Sequence, residues 1–441
     1  MYRITLLILL ITFFYQPGRL MAQSIQDILP PRATIEDCIA YAQKHNPQIA
    51  QALIDEQITA QTIRSKLADW YPQLNVNYSL QHNFQVPTSI IGGNPIALGV
   101  SNTSQAQLSL NQPIFNRDVL LAVKSRGDVQ LQSTQVTANK KIDLVANVSK
   151  AFYDVLASSQ QIRVSEQNII RLERSLQDAY NQYKAGVADK VDYKRTTITL
   201  NNVKAARTSG EALLQAKKEY LKYLMGYPDS ASLDIAFDSA RLETEIQFDT
   251  LQQPDYKSRI EYRLLETQLK LLEASYRYEK NAYLPSVSLN SAYNLNYLND
   301  KISKLYSTNF PSSFAALSLS IPIYQGGKRK SKIQVAAFQL KRTNKDLENL
   351  QLQVRTQYAN ALAAYKINFA NYQALKENVQ LANEVYDVVQ LQYKSGIKTY
   401  LEVIASETDL RTSQINYFNA LYQLLASKID AQKALGQISI Q

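Results

Sequence analysis

One pattern occurs twice in this chain and limits what it can become. Residues 73–84 alternate without a break. Leu74, Val76, Tyr78, Leu80, His82 and Phe84 take one face, and Gln73, Asn75, Asn77, Ser79, Gln81 and Asn83 the other. Residues 286–297 repeat it: Val287, Leu289, Tyr293, Leu295 and Tyr297 oppose Ser286, Ser288, Asn290, Asn294 and Asn296. Period-two alternation over about a dozen residues predicts a β-strand with one apolar and one polar face. The polar face is made of amides and hydroxyls with almost no charge, which suits a wet lumen better than a soluble surface rich in Lys and Glu.

Each strand has a candidate partner. The Gly92-Gly93-Asn94-Pro95 loop leads to residues 105–115, and a second polar loop leads to residues 315–324. Two hairpins result, over 72–115 and 285–324, with strands close to the roughly 9–11 residues that cross an outer membrane at a tilt. Four strands cannot close a barrel, and open edges are not tolerated in lipid. Other copies of the chain must complete it. The alternative, two amphipathic hairpins lying on a soluble core, lacks further strands for them to pack on.

The remainder reads as helix. Gly (12) and Pro (13) are few for 441 residues, which favours long helices over loops. Thr34, with Asp37 three residues on, opens a helix predicted over 34–69. Residues 117–184 form a long helix, Gly186 interrupts it, and a second helix runs over 189–225. Residues 226–254 are irregular and divide the chain into repeats at 23–225 and 255–441. The second repeat has a helix over 255–282, the hairpin, a long helix over 328–394, the break at Gly396 and a helix over 399–435. Pro72 matches Pro285, Pro113 matches Pro322, and Tyr183-Lys184-Ala185-Gly186 matches Tyr393-Lys394-Ser395-Gly396, which is the self-similarity of a duplication. At 1.5 Å per residue the stretch 117–184 spans about 100 Å, and helices 34–69 and 189–225 laid end to end span about 110 Å. Two short helices stacked beside one long one describe a tall helical cylinder under a membrane barrel.

Composition narrows the function. One cysteine and two histidines, His45 and His82, leave almost nothing for a metal site or a histidine triad, and no metal or cofactor is expected. Cys38 reads as a packed helix residue. The net charge of +10 arises from interleaved acids and bases, a solvated helical surface rather than a nucleic-acid footprint. No catalytic constellation or Gly-rich phosphate loop stands out, so an enzyme is not expected. Arg3, the apolar run Ile4–Tyr15, the breaking pair Pro17-Gly18 and the small-residue site at Met21-Ala22-Gln23 predict a secretory signal peptide over 1–22. No apolar run of 18 residues follows it. The basic run Lys328-Arg329-Lys330-Ser331-Lys332 reads as a solvated helix start or as a contact for anionic headgroups.

The Tyr-Leu-Pro lead-in to the second strand, the duplicated helix–hairpin–long-helix order and the turns Tyr183–Asp192 and Tyr393–Glu402 together resemble the TolC-type outer membrane efflux proteins. The resemblance covers nearly the whole chain after the signal. It implies a membrane α+β fold: a long α-helical coiled-coil barrel with two transmembrane β-hairpins. It implies a homotrimer in which four strands per chain make a twelve-stranded barrel, with an equatorial region here at 226–254. It further implies a passive duct energised by an inner-membrane pump and opened by a periplasmic adaptor. Residues Leu74, Val76, Tyr78, Leu289, Tyr293 and Leu295 would face outer membrane lipid. Asp192, Tyr393, Lys398 and Glu402 fall where the family closes its periplasmic gate. A Tyr393–Asp192 hydrogen bond is expected, as is a bond from Lys398 to a carboxylate of the other hairpin. Gly186, Val187, Gly396 and Ile397 would form the tips that meet the adaptor. One departure is Ala405, where the family pore often carries a second acidic ring; Glu407 lies nearby but off that register. The competing reading, a periplasmic adaptor with a long helical hairpin, would need Gly- and Val-rich soluble barrel segments that this chain lacks.

Overall fold

In the computed structural model, which describes residues 29–187, 189–237 and 239–440, the two alternating stretches become neighbours in one sheet. The signal-peptide expectation lies outside the described residues. Strands β1 (Gln73–His82), β4 (Asn102–Phe115), β5 (Ser286–Asn299) and β6 (Ser312–Ser320) lie in that spatial order, each antiparallel to the next. The hairpins β1–β4 and β5–β6 are therefore zipped together through β4 and β5. Register lines up mostly apolar rows on one face, interrupted where Gln112 opposes Leu289 and Ser313 opposes Tyr293, while Phe314 lies on the other face opposite Ala292. Val76, Leu108 and Tyr293 are opposed in one row, and Tyr78, Ala106 and Leu295 in another. The opposite face is an amide ladder: Asn111 Nδ2 donates to Asn290 Oδ1 at 2.6 Å, Asn290 Nδ2 to Ser318 Oγ at 3.0 Å and Asn294 Nδ2 to Ser312 Oγ at 3.2 Å. Neither β1 nor β6 has a second partner among the described residues.

Two details differ from expectation. Strand β6 starts and ends earlier than 315–324, because Pro322 has no N–H for a ladder and the chain leaves the sheet there. The first loop contains a small hairpin, β2 (Thr88–Ile91) with β3 (Asn94–Ala97), turned at Gly92 and Gly93, whose φ angles are +60° and +87°.

The helices are α1 (Ile35–His45), α2 (Pro47–Ala68), α3 (Arg117–Lys184), α4 (Lys190–Met225), α5 (Ser239–Glu245), α6 (Ile260–Lys280), α7 (Lys328–Lys394) and α8 (Tyr400–Leu435). The long helices α3 and α7 have the bounds read from sequence. The helix expected over 34–69 does not exist as one piece. Pro47 cannot donate inside a helix, so the chain breaks at Asn46, which accepts from the N–H groups of Gln48 and Ile49 at 2.7 and 3.2 Å and caps α2. The Thr34–Asp37 capping box at the start of α1 is present.

Asn46 also fixes the stacking of short helices along the long one. Its Nδ2 donates to the carbonyl of Leu224, on the last turn of α4, at 2.7 Å. Gly226, which ends α4 at φ +68°, lies so close to the His45 carbonyl that a Cβ would sit 2.5 Å from its oxygen. The second repeat makes an equivalent joint: Arg259, just before α6, donates to the Ala434 carbonyl at the end of α8, at 3.3 Å.

The main core lies around these joints. It gathers Cys38 and Ala42 of α1, Val148 and Val155 of α3, Leu221 and Met225 of α4, and Leu424 and Leu425 of α8. Residues 226–254, read from sequence as an irregular divider, form part of this core through Leu233, Ile235, Leu242 and Ile246. Tyrosines spaced by seven on α7 strap them down: Tyr358 donates to the Gln252 carbonyl at 2.7 Å and Tyr365 to the Ile246 carbonyl at 2.8 Å. A step of seven returns to one stripe of a coiled-coil helix, so a single face carries the whole series.

Candidate functional site: the helical tips and the sheet

Each pair of long and short helices ends in the same turn. Gly186 (φ +75°) donates to the Tyr183 carbonyl while the Val187 N–H reaches back to Gln182, both at 3.0 Å. Gly396 (φ +74°) and Ile397 repeat this with Tyr393 and Gln392. This Schellman geometry needs a left-handed residue, which accounts for glycine at both places. It leaves Val187 and Ile397 with 76 % and 72 % of their surface exposed at the outer ends of the two hairpins.

The structure brings the predicted gate residues together at these ends but pairs them differently. The Tyr393 hydroxyl donates to Gln182 Oε1 at 2.8 Å, joining α7 to α3. Its one hydrogen is therefore not given to Asp192. Burial raises the phenol's pKa, and the charge of Asp192, in the first turn of α4, adds to that rise. Lys398 does not reach the other hairpin; its Nζ lies 2.6 Å from Glu402 Oε1 in the same turn. Glu402 Oε2 accepts from the Thr399 N–H and hydroxyl at 2.9 and 3.0 Å. The Lys398 ammonium and the Thr399 donors hold the Glu402 carboxyl down to about 2. Physically, Glu402 is the capping-box residue of α8.

Two groups near the tips hold places that the sequence reading did not assign them. Tyr400, seven residues after Tyr393, is buried and accepts from Thr196 Oγ1 of α4 at 2.8 Å; burial pushes its phenol up to about 12. Glu407 of α8 is only 2 % exposed. Its Oε1 accepts from Asn168 Nδ2 at 2.9 Å and Arg171 Nε at 3.2 Å, both on α3. The spacing of Tyr386, Tyr393 and Tyr400 by sevens was the available signal for the tyrosine; nothing local distinguishes Glu407 from the exposed acids around it.

At the other end, Leu74, Val76, Tyr78, Leu289, Tyr293 and Leu295 share the apolar sheet face, and Leu74, Val76, Tyr78 and Tyr293 are well exposed on the single chain. Just below, the basic run divides. Arg329 is buried, donating from Nη2 to the Pro322 carbonyl at 2.7 Å with its guanidinium 4.0 Å from the Tyr283 ring centre. Lys328, Lys330 and Lys332 remain exposed. No helix among the described residues is long and apolar enough to cross a membrane.

The chain thus combines an open four-stranded sheet, mostly apolar on one face, with helices up to about 100 Å long. The sequence model of the outer membrane efflux protein family matches residues 38–227 and 263–437, and the chain belongs to that family. The chain is 22 % identical over 418 residues to the outer membrane protein TolC of Escherichia coli (strain K12), covering 91 % of this chain and 81 % of that protein. It is 23 % identical over 413 residues to the outer membrane protein OprJ of Pseudomonas aeruginosa, covering 92 % and 84 %. Among solved structures it superposes on CusC with a TM-score of 0.72 at 17 % identity, over 91 % of both chains. The open state of the MtrE channel of Neisseria gonorrhoeae gives 0.71 at 20 % identity, over 91 % and 88 %. The protein is an outer membrane channel protein with the TolC-type fold.

Proposed function

We propose that three copies of this chain form a passive duct from the periplasm to the exterior. The observation that carries this reading is the open sheet: four strands, one mostly apolar face and two unpaired edges. Unpaired backbone groups cost several kcal/mol each in lipid, so β1 of one copy must pair with β6 of the next until the barrel closes. Twelve strands from three copies do this. Leu74, Val76, Tyr78, Leu289, Tyr293 and Leu295 then face lipid, and the amide ladder lines the lumen. Exposed apolar residues on α7 (Leu381, Val385, Val388 and Leu391) and on α4 (Val191 and Ile198) supply surfaces for neighbouring copies to cover. In this reading the two repeats, 23–225 and 255–441, each give one hairpin of strands and one of helices, and 226–254 forms an equatorial strap.

The tips form the periplasmic end. Asp192, Tyr393, Lys398 and Glu402 lie at its narrowing, and Gly186, Val187, Gly396 and Ile397 offer an apolar rim to a periplasmic adaptor, with an inner-membrane pump supplying the energy. The bond between the hairpins at the tip, from Tyr393 to Gln182, is one neutral hydrogen bond worth about 0.5–1.5 kcal/mol net, so modest differential binding by an adaptor suffices to open the end. Purified protein in planar bilayers should give discrete conductance steps, and Gln182→Ala, which removes the acceptor of the Tyr393 bond between the hairpins, should raise their size without changing assembly. Folded, membrane-inserted protein that passes no current in either form contradicts the duct.

A further inference from the structure

Glu407 is the most deeply buried carboxylate near the tips, and its cation is incompletely paired. Its side chain is 3 % exposed, and that of Arg171, its cation, 26 %. Both hydrogen bonds to it end on the same oxygen, Oε1. Arg171 Nη2 is buried and makes no hydrogen bond among the described residues. A buried ion pair offsets its desolvation only when geometry is good and the remaining lone pairs and protons are met. This one falls short at the Arg171 end, and it sits where α8 lies against α3, the contact that holds the two helical hairpins of one chain together.

We propose that Glu407 is a proton-operated tension point of the gate: ionised, it weakens the hold of α8 on α3 and primes the α7–α8 hairpin to swing outward; protonated, it lets the tip close firmly. The proposal rests on the reading of the tips as a gate. Its sign follows from linkage. Burial, the largest influence, raises the pKa of Glu407 above its ordinary value in spite of Arg171, Asn168 and Arg411. A swung-out hairpin would return the carboxyl to water. The packed arrangement therefore binds the proton more tightly, and acid favours it. Each unit by which the packed pKa exceeds the solvated one is worth about a tenfold change per chain in the ratio of closed to open tips.

The groups around the site do not mimic this response. Arg171 comes from α3, Tyr386 with Asp387 beside it from α7, and Tyr400 and Arg411 from α8; α4 meets Tyr400 through the neutral Thr196. The phenols of Tyr386 and Tyr400 are raised and stay neutral, and Glu402, held at about 2, stays ionised across the mildly acidic range.

The test is the open fraction of single channels in planar bilayers, followed from neutral to mildly acidic pH. Wild type should lose open fraction as pH falls. Glu407→Gln, an isosteric mimic of the protonated acid, should be about as closed at neutral pH as wild type is in acid, with that pH response removed. Glu407→Gln with Arg171→Met, which fills the site without charge, should behave likewise and serves if the single variant assembles poorly. A Glu407→Gln channel that keeps the wild-type pH profile, or that is more open at neutral pH, overturns the proposal. Wild-type protein that forms no channel at all overturns the duct reading with it, and the two failures are told apart by that control.

Discussion

The hydroxyl of Tyr393, at the end of α7, donates to Gln182, at the end of α3, and this 2.8 Å bond links the two helical hairpins of one chain directly at their tips. Because burial raises the phenol's pKa, the donor keeps its proton at neutral pH. Tyr393→Phe removes the bond and little volume. The expected loss is about 0.5–1.5 kcal/mol of tip closure, the net worth of one such hydrogen bond. It should appear as a larger mean conductance with unchanged assembly. A variant indistinguishable from wild type would assign closure to the apolar residues Val187, Ile397 and Leu401 instead.

The first turn of α8 should loosen in strong acid. Glu402 has its pKa depressed to about 2, chiefly by Lys398 and then by the Thr399 N–H. A carboxylate depressed in the folded state stabilises above its unfolded pKa, and that contribution fades as pH falls from about 4.5 toward 2. Protection factors at Tyr400–Val403, which correct for the intrinsic pH dependence of exchange, should therefore be steady from neutral pH to about 5, on the unfolded carboxylate value, and fall below it. Glu402→Gln should show the low protection throughout. Protection in wild type that is unchanged at the acid end would show that the box does not hold the turn.

The two faces of β5 should respond oppositely to charge. Leu289 shares the apolar face with Leu317, its partner on β6, whereas Asn290 belongs to the amide ladder with Asn111. Leu289→Arg should cost about 2–4 kcal/mol if near the bilayer midplane, and Asn290→Arg much less. Yield of folded, heat-modifiable protein in outer membranes reads the difference. Equal yields would contradict the assignment of lipid and lumen faces.

Two glycines with similar φ should differ in their tolerance of a side chain. Gly186 turns a free tip with nothing within 4 Å of an added Cβ, while at Gly226 that carbon would meet the His45 carbonyl oxygen at 2.5 Å. Gly186→Ala should cost about 1–2 kcal/mol, the left-handed strain alone. Gly226→Ala adds a backbone clash that separates α4 from Asn46, and should lower the thermal midpoint well beyond the tip variant. A smaller shift for Gly226→Ala would mean that the helix joint is soft.

Much of this architecture was written in local pattern. Alternation over residues 73–84 and 286–297 specified the strands and their faces, since a one-residue slip would invert both. The long helices were legible because no proline interrupts 117–184 or 328–394 and a glycine ends each. What escaped was decided by partners distant in sequence. Pro47 lies inside a run that is otherwise helical in pattern, and the break it makes matters because Asn46 then meets Leu224. The segment 226–254 reads as an irregular divider because of Pro228, Asp229, Ser230, Ser232, Asp234 and Pro254, yet Tyr358 and Tyr365 draw it into the core. At the tips the positions were readable and the pairings were not. Lys398 found its own helix start before the other hairpin, and Glu407 is buried only because Asn168 and Arg171, more than two hundred residues away, are there to receive it.

The central claim is that this chain is one third of a duct, and the number of chains in the membrane-extracted particle tests it most directly. Native mass spectrometry of the protein released from mild detergent should show three chains and no stable smaller species, because β1 and β6 are each left with an open edge until the ring closes. A folded particle of one chain, stable in detergent and carrying this four-stranded sheet, would contradict it.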